Sequence, residues 1–213
     1  MKKVAILVLG FLALAAAFWH FSHRGTKVVD HPKAGENIIA FGDSLVVGFG
    51  ASEGTDFVSV LSRRIDQPVV NAGRNGDTTR TALARLEEDV LSQNPRIVIL
   101  LLGGNDAIRR VPVEETFSRL GKMIDQIHQR QAAVILVGVR GGLFAGGRYE
   151  REFERLAEEK QVNYIPDILN GIFGHPSLMA DPIHPNEEGN TMMADRIEPI
   201  LRKLLTRISH TDS

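Results

Sequence analysis

The chain has 213 residues, 43% hydrophobic and 24% charged, which is room for one globular domain with a sizeable core plus a short extra segment. A net charge of -1 gives no electrostatic case for nucleic acid or another polyanion as partner. The absence of cysteine excludes disulfides, thiolate metal sites and a Cys nucleophile.

In chain order, Lys2-Lys3 precede an uncharged run from Val4 to Trp19, and His23, Arg24 and Lys27 follow it. A basic pair before an apolar run is the pattern of an export signal. Residues 1–21 are read as a signal anchor at the lower edge of spanning length, with Phe18, Trp19 and Phe21 suited to the interfacial aromatic belt. The alternative is cleavage near Ala15-Ala16-Ala17, which would release a soluble periplasmic or secreted protein. In either case Lys2 and Lys3 stay inside and the body of the chain faces outward, on the periplasmic side. The membrane is thus an expected partner through this segment. Residues 22–36 are polar, carry Gly and Pro, and read as a linker; residues 37–208 form the domain.

From Asn37, apolar runs of strand length alternate with amphipathic helical patterns. The expected strands are Ile38–Phe41, Val69–Asn71, Ile97–Leu102, Val134–Val139 and Tyr164–Ile165. The third and fourth are apolar throughout, as in strands covered on both faces. Expected helices are Thr79–Ser92, Val113–Arg130 (Phe117, Leu120, Ile124 and Ile127 on one stripe), Tyr149–Lys160 and Gly189–Arg207. Such a β-α alternation implies an α/β fold with a parallel sheet, right-handed crossovers and helices on both faces. Functional loops then belong at the C-terminal ends of the strands.

Four segments fall on that edge: Gly42-Asp43-Ser44-Leu45, Asn71-Ala72-Gly73, Gly103-Gly104-Asn105-Asp106 and Asp181-Pro182-Ile183-His184-Pro185. Singly, each is an ordinary turn; together, in order and at corresponding strand ends, their chemistry is complementary. A serine hydroxyl needs a base to become a nucleophile. His184 can serve Ser44 in that way. Asp181, three residues away, can accept the other imidazole N–H and fix the tautomer. Pro182 and Pro185 stiffen the turn that carries both. A tetrahedral intermediate needs donors for its oxyanion, and the backbone N–H groups of Ser44 and Gly73 with the side-chain amide of Asn105 supply three.

This ordered set resembles the SGNH (GDSL) hydrolase family, most of all its bacterial multifunctional thioesterase, lysophospholipase and arylesterase branch, over about Ile38 to Leu205. The resemblance implies a flavodoxin-like three-layer α/β/α sandwich with a five-stranded parallel sheet in the order 2-1-3-4-5. It implies Ser44 as nucleophile, His184 as base and Asp181 as its orienter, with Ser44, Gly73 and Asn105 forming the oxyanion hole. The Gly-x-Ser-x-Gly elbow of α/β-hydrolases is not matched, because Val46 stands where its second Gly would be.

Asp43 is expected to brace its loop, Asp106 to cap or brace its turn, and Asp77 with Thr78 and Thr79 to start a helix. The resemblance implies that the segment from Gly76 to Thr81 borders the substrate. The remaining histidines lack ligand-like spacing, so neither a metal nor another cofactor is called for. The Gly-rich loop from Arg140 to Gly147 offers Leu143 and Phe144, and the loop after the third strand offers Ile108, as apolar lining for an acyl group; Leu143 and Phe144 otherwise cover a helix end. Arg109 and Arg110 either favour an anionic head group or form a solvated face. The expected partner is thus a small-molecule or lipid acyl ester or thioester. A carbohydrate O-acetylesterase and a non-catalytic anchored module are the competing readings. Oligomeric state has no signal in the sequence.

Overall fold

The computed structural model describes residues 28–139 and 142–206, the side chains of residues 142–146 excepted. The run from Val4 to Trp19 lies outside the described residues. Among those described, no helix is long and apolar enough to cross a membrane.

Five parallel strands form one sheet in the order β2-β1-β3-β4-β5: β1 Asn37–Gly42, β2 Val69–Gly73, β3 Pro95–Leu101, β4 Ala133–Val137 and β5 Asn163–Ile165. This is the expected order. Ile97 to Leu102 are fully buried, as are Ile39 to Phe41 and Ala133 to Val137. Central strands covered on both faces have no polar alternation to keep, which is why these segments read as unbroken apolar runs.

The helices are α1 Ser44–Val47, α2 Phe57–Ile65, α3 Thr79–Asp89, α4 Gly104–Ile108, α5 Val113–Gln129, α6 Gly142–Lys160 and α7 Glu187–Thr206. Helices α2 and α7 pack together, as do α3 with α5 and α5 with α6, which gives the three layers. Helix α2 was not among the expected helices, although Phe57, Val58, Val60, Leu61 and Ile65 are buried on it and the Asp56 carboxylate accepts the Ser59 N–H at its start. Helix α6 begins at Gly142, where a loop to residue 147 was expected. Its anchors are Tyr149 and Phe153, both buried against Phe117, and tertiary packing of this kind outweighs the poor helix propensity of Gly.

Val28 to Glu36, read from sequence as linker, is hydrogen bonded to the edge of the sheet opposite the functional loops. Val29 N–H donates to Asn163 Oδ1 (3.1 Å), the Asp30 carboxylate accepts the Val134 N–H (2.6 Å), and Lys33 N–H donates to the Gln131 carbonyl (2.8 Å).

Candidate active site

Strand β1 ends at Gly42, and α1 starts two residues later with Ser44. A Cβ on Gly42 would sit 2.2 Å from the Leu101 carbonyl oxygen and 2.5 Å from Val46, so only Gly allows so abrupt a turn here. Asp43 is the N-cap: its carboxylate accepts the Leu45 N–H at 3.0 Å, and its carbonyl accepts those of Val46 and Val47. As the first helical residue, Ser44 keeps an N–H with no intrahelical acceptor.

The His184 turn arrives from the far side. Asp181 Oδ1 accepts the backbone N–H groups of Ile183 and His184, both at 2.8 Å, closing a turn of the kind Asp favours. Asp181 Oδ2 lies 2.6 Å from His184 Nδ1, and His184 Nε2 lies 3.0 Å from Ser44 Oγ. The hydrogen bond from His184, with that from the Ile183 amide, holds the Asp181 carboxyl below the usual carboxylate range. The turn is fixed on three sides: Ala180 N–H donates to the His184 carbonyl, buried Asn190 donates to the Pro185 carbonyl, and the Phe49 ring lies 4.6 Å from the imidazole.

Asn105, on α4, faces Ser44 across the site. Its amide donates to the Asp77 carbonyl at 2.9 Å and makes a long 3.4 Å contact with Asp43 Oδ2. One of its two hydrogens is therefore well bonded and the other is available. Gly73 N–H donates to Asn71 Oδ1 at 3.0 Å, while Asn71 Nδ2 donates to the Val46 carbonyl at 2.7 Å. Ser44, Asn105 and His184 meet in one cavity, and in this geometry the third expected oxyanion donor, Gly73, is engaged by its own strand.

That cavity, of about 120 Å³, is lined by Ser44, Asn105 and His184 and by an apolar wall that includes Leu45, Ile108, Leu169, Phe173 and Ile183. Ile108, Phe173 and Ile183 are exposed at its rim. Burial pushes the Asp43 carboxyl up to about 7; the Leu45 amide pulls against this and nearby Asp77 adds to it. Among the described residues no group of three His, Asp or Glu side chains could hold a metal ion.

Residues 40–192 match the profile of the GDSL-like lipase/acylhydrolase family. The chain belongs to that family. It is 32% identical over 183 residues to an arylesterase of Vibrio mimicus, covering 81% of this chain and 92% of that one. It is 30% identical over 183 residues to thioesterase 1/protease 1/lysophospholipase L1 of Escherichia coli K12, covering 83% and 88%. A crystal structure of TesA superposes with a TM-score of 0.73 at 28% identity, covering 79% of this chain and 99% of that one. The protein is accordingly a GDSL-type serine esterase.

Two braces of this GDSL esterase differ from expectation, and several apolar residues around its site were missed. Asp77 does not cap α3; Thr78 does, in a reciprocal pair with Thr81, and Asp77 is spent on an ion pair with Arg85. The Asp106 carboxylate braces neighbouring elements, accepting the N–H (2.8 Å) and hydroxyl (2.6 Å) of Thr79 at the start of α3 and, at 3.4 Å, the Thr116 hydroxyl on α5, where a cap or brace of its own turn was expected. Phe49, Leu169 and Phe173 carried no motif, and Ile183 stood in one only as a spacer; their signal was the placement of bulky apolar residues in loops otherwise rich in Gly, Asp and Pro. Ile108 lies in the wall as expected, and the side chains of Leu143 and Phe144 lie outside the described residues.

Proposed function

We propose that the enzyme hydrolyses acyl esters and thioesters, of the arylesterase, lysophospholipase or thioesterase type, through an acyl-enzyme on Ser44. The observation that carries this reading is the continuous chain Asp181–His184–Ser44, with separations of 2.6 and 3.0 Å, opening on an apolar cavity.

Ser44 Oγ bonds to the carbonyl carbon as its proton passes to His184 Nε2. Asp181, kept ionised, stabilises the imidazolium and holds the tautomer that leaves Nε2 free to accept. The oxyanion is met by Ser44 N–H and Asn105 Nδ2–H. Gly73 N–H joins them if it turns from Asn71. Collapse expels the alkoxide or thiolate, which takes the proton from His184. Water, activated by the same imidazole, then frees the acid and restores Ser44.

The wall of Ile108, Leu169, Phe173 and Ile183 supports an acyl chain as the bound group rather than a glycan, because apolar area is what a hydrocarbon buries with gain. The basic pair and apolar run at residues 2–19 support export, with the enzyme tethered on the periplasmic face or released there after cleavage. Lysophospholipids and exogenous esters are the acyl compounds accessible in that compartment.

The test is hydrolysis of p-nitrophenyl esters of graded chain length by wild type and Ser44→Ala. Activity is expected to fall by about 10³-fold or more in the variant. Unchanged rates would remove Ser44 from the mechanism. Release of acetate from an O-acetylated glycan with no activity on longer acyl chains would favour the carbohydrate esterase instead.

A further inference from the structure

Arg85 is a buried guanidinium, 6% exposed, that the scheme above does not use. It rises from α3 and lies over Phe41, with Cζ 4.3 Å from the ring centroid. Nε donates to Asp77 Oδ2 at 2.6 Å, and Nη1 to Asp89 Oδ2 at 2.6 Å. Nη1 also reaches the Ala72 carbonyl, and Nη2 the Gly42 carbonyl, both at 3.0 Å.

The positions of these acceptors matter more than their number. Gly42 stands two residues before Ser44, at the turn that aims it. Ala72 is the residue before Gly73. Asp77 owns the carbonyl that takes one hydrogen of the Asn105 amide. One cation thus fastens two of the segments that carry oxyanion donors directly, and reaches the third, that of Asn105, through the Asp77 loop. A charge needed only to satisfy its own helix would be content with Asp89, four residues on. The rigid planar fork can index several fixed carbonyls at once, which the single ammonium of Lys cannot.

We propose that Arg85 is a positioning residue for the oxyanion hole, setting the mutual placement of Ser44 N–H, Gly73 and Asn105 through Gly42, Ala72 and Asp77. It touches no reacting atom. The proposal rests on the reading of Ser44 and Asn105 given above. Transition-state stabilisation by fixed donors is steep in geometry: a misplacement of about 1 Å costs about 10²-fold in rate.

The experiment compares wild type with Arg85→Lys, Asn105→Ala and the double variant on a short-chain p-nitrophenyl ester. Active sites are counted with a fluorophosphonate and folding is followed by thermal melting. Arg85→Lys is expected to lower kcat per titrated site by about 10²-fold, with KM changed by less than about 3-fold. On the Asn105→Ala background the same substitution is expected to cost less than about 10-fold, because one of the three donors whose mutual placement it sets is gone. Asp77→Asn, which weakens the Arg85 link to that loop, is expected to show a smaller kcat loss with the same non-additivity, and it carries the test if Arg85→Lys fails to fold. Equal losses on both backgrounds, or a kcat within about 3-fold of wild type in the folded variant, would overturn the proposal. Ser44→Ala as active as wild type would instead overturn the underlying reading of the site, leaving the two failures distinguishable.

Discussion

Asp43 offers a quantitative handle on the site. Its carboxyl is 3% exposed and burial pushes it up to about 7 from the ordinary 3.8. The folded protein therefore holds this proton more tightly than the unfolded chain does. The resulting stabilisation is complete below the unfolded value of 3.8 and is lost progressively as pH rises through about 7. The gap corresponds to up to about 4 kcal/mol between the two limits. Asp43→Asn has the same shape, keeps an oxygen for the Leu45 N–H and cannot ionise. Its stability relative to wild type should rise with pH, from near zero at about pH 4 to as much as about 4 kcal/mol above about pH 8. For a domain of this size that is an increase in Tm of roughly 10 °C at the alkaline end. Urea unfolding of both proteins across this range measures the difference directly, and titrations shared by the two cancel. A difference that is constant with pH, or that shrinks as pH rises, would refute the assignment of a neutral buried acid beside Ser44.

Asp181→Asn should turn an acceptor into a donor at His184 Nδ1, impose the wrong tautomer and lower kcat by on the order of 10³–10⁴-fold in stopped assays at neutral pH. Because the Asp181 carboxyl is held below the usual carboxylate range, its ionised form is present above that depressed value and is lost only as pH falls through it. Phe173→Ala should reduce kcat/KM for long-chain p-nitrophenyl esters by about 10-fold while leaving the acetate within about 2-fold, as read from a chain-length series. Gly50 has φ +94°, and a Cβ there would lie 2.8 Å from Ala180 Cβ and 3.4 Å from His184 Cβ. Gly50→Ala should cost about 1–3 kcal/mol in thermal unfolding and lower kcat more than it raises KM, by displacing the base.

Much of the fold was legible because burial on both faces of β3 and β4 leaves unbroken apolar runs, and because short β–α units have one handedness. Helix α2 went unread even though Phe57, Val60, Leu61 and Ile65 follow helical spacing; they lie beyond a Gly-rich loop that masks the start. Ser44, Asp181, His184 and Asn105 were legible because the chemistry fixes residue types within short motifs. The wall was less so, since Leu169, Phe173 and Ile183 are brought together only by tertiary folding and any bulky apolar residue would serve. Arg85 was hidden for a related reason: the acceptors that tie it to the site segments of Ser44 and Gly73 are main-chain carbonyls, which carry no letter in the sequence. Asp77 read as a cap because it precedes Thr78 and Thr79; the ion pair that claims it depends on a residue two turns along α3.

The docking of Val29, Asp30 and Lys33 onto the starts of β4 and β5 fixes a polarity for the whole molecule. Ser44 lies beyond the other ends of the strands, and the seven residues of β3 alone put about 20 Å of packed sheet between the two. The first described residues, from Val28, therefore lie at one end of the strands and the entrance to the pocket at the other. An enzyme immobilised on a bead or electrode by the Val28 end would keep its mouth toward the solution, whereas coupling through Phe49 or Ile183 would press it shut.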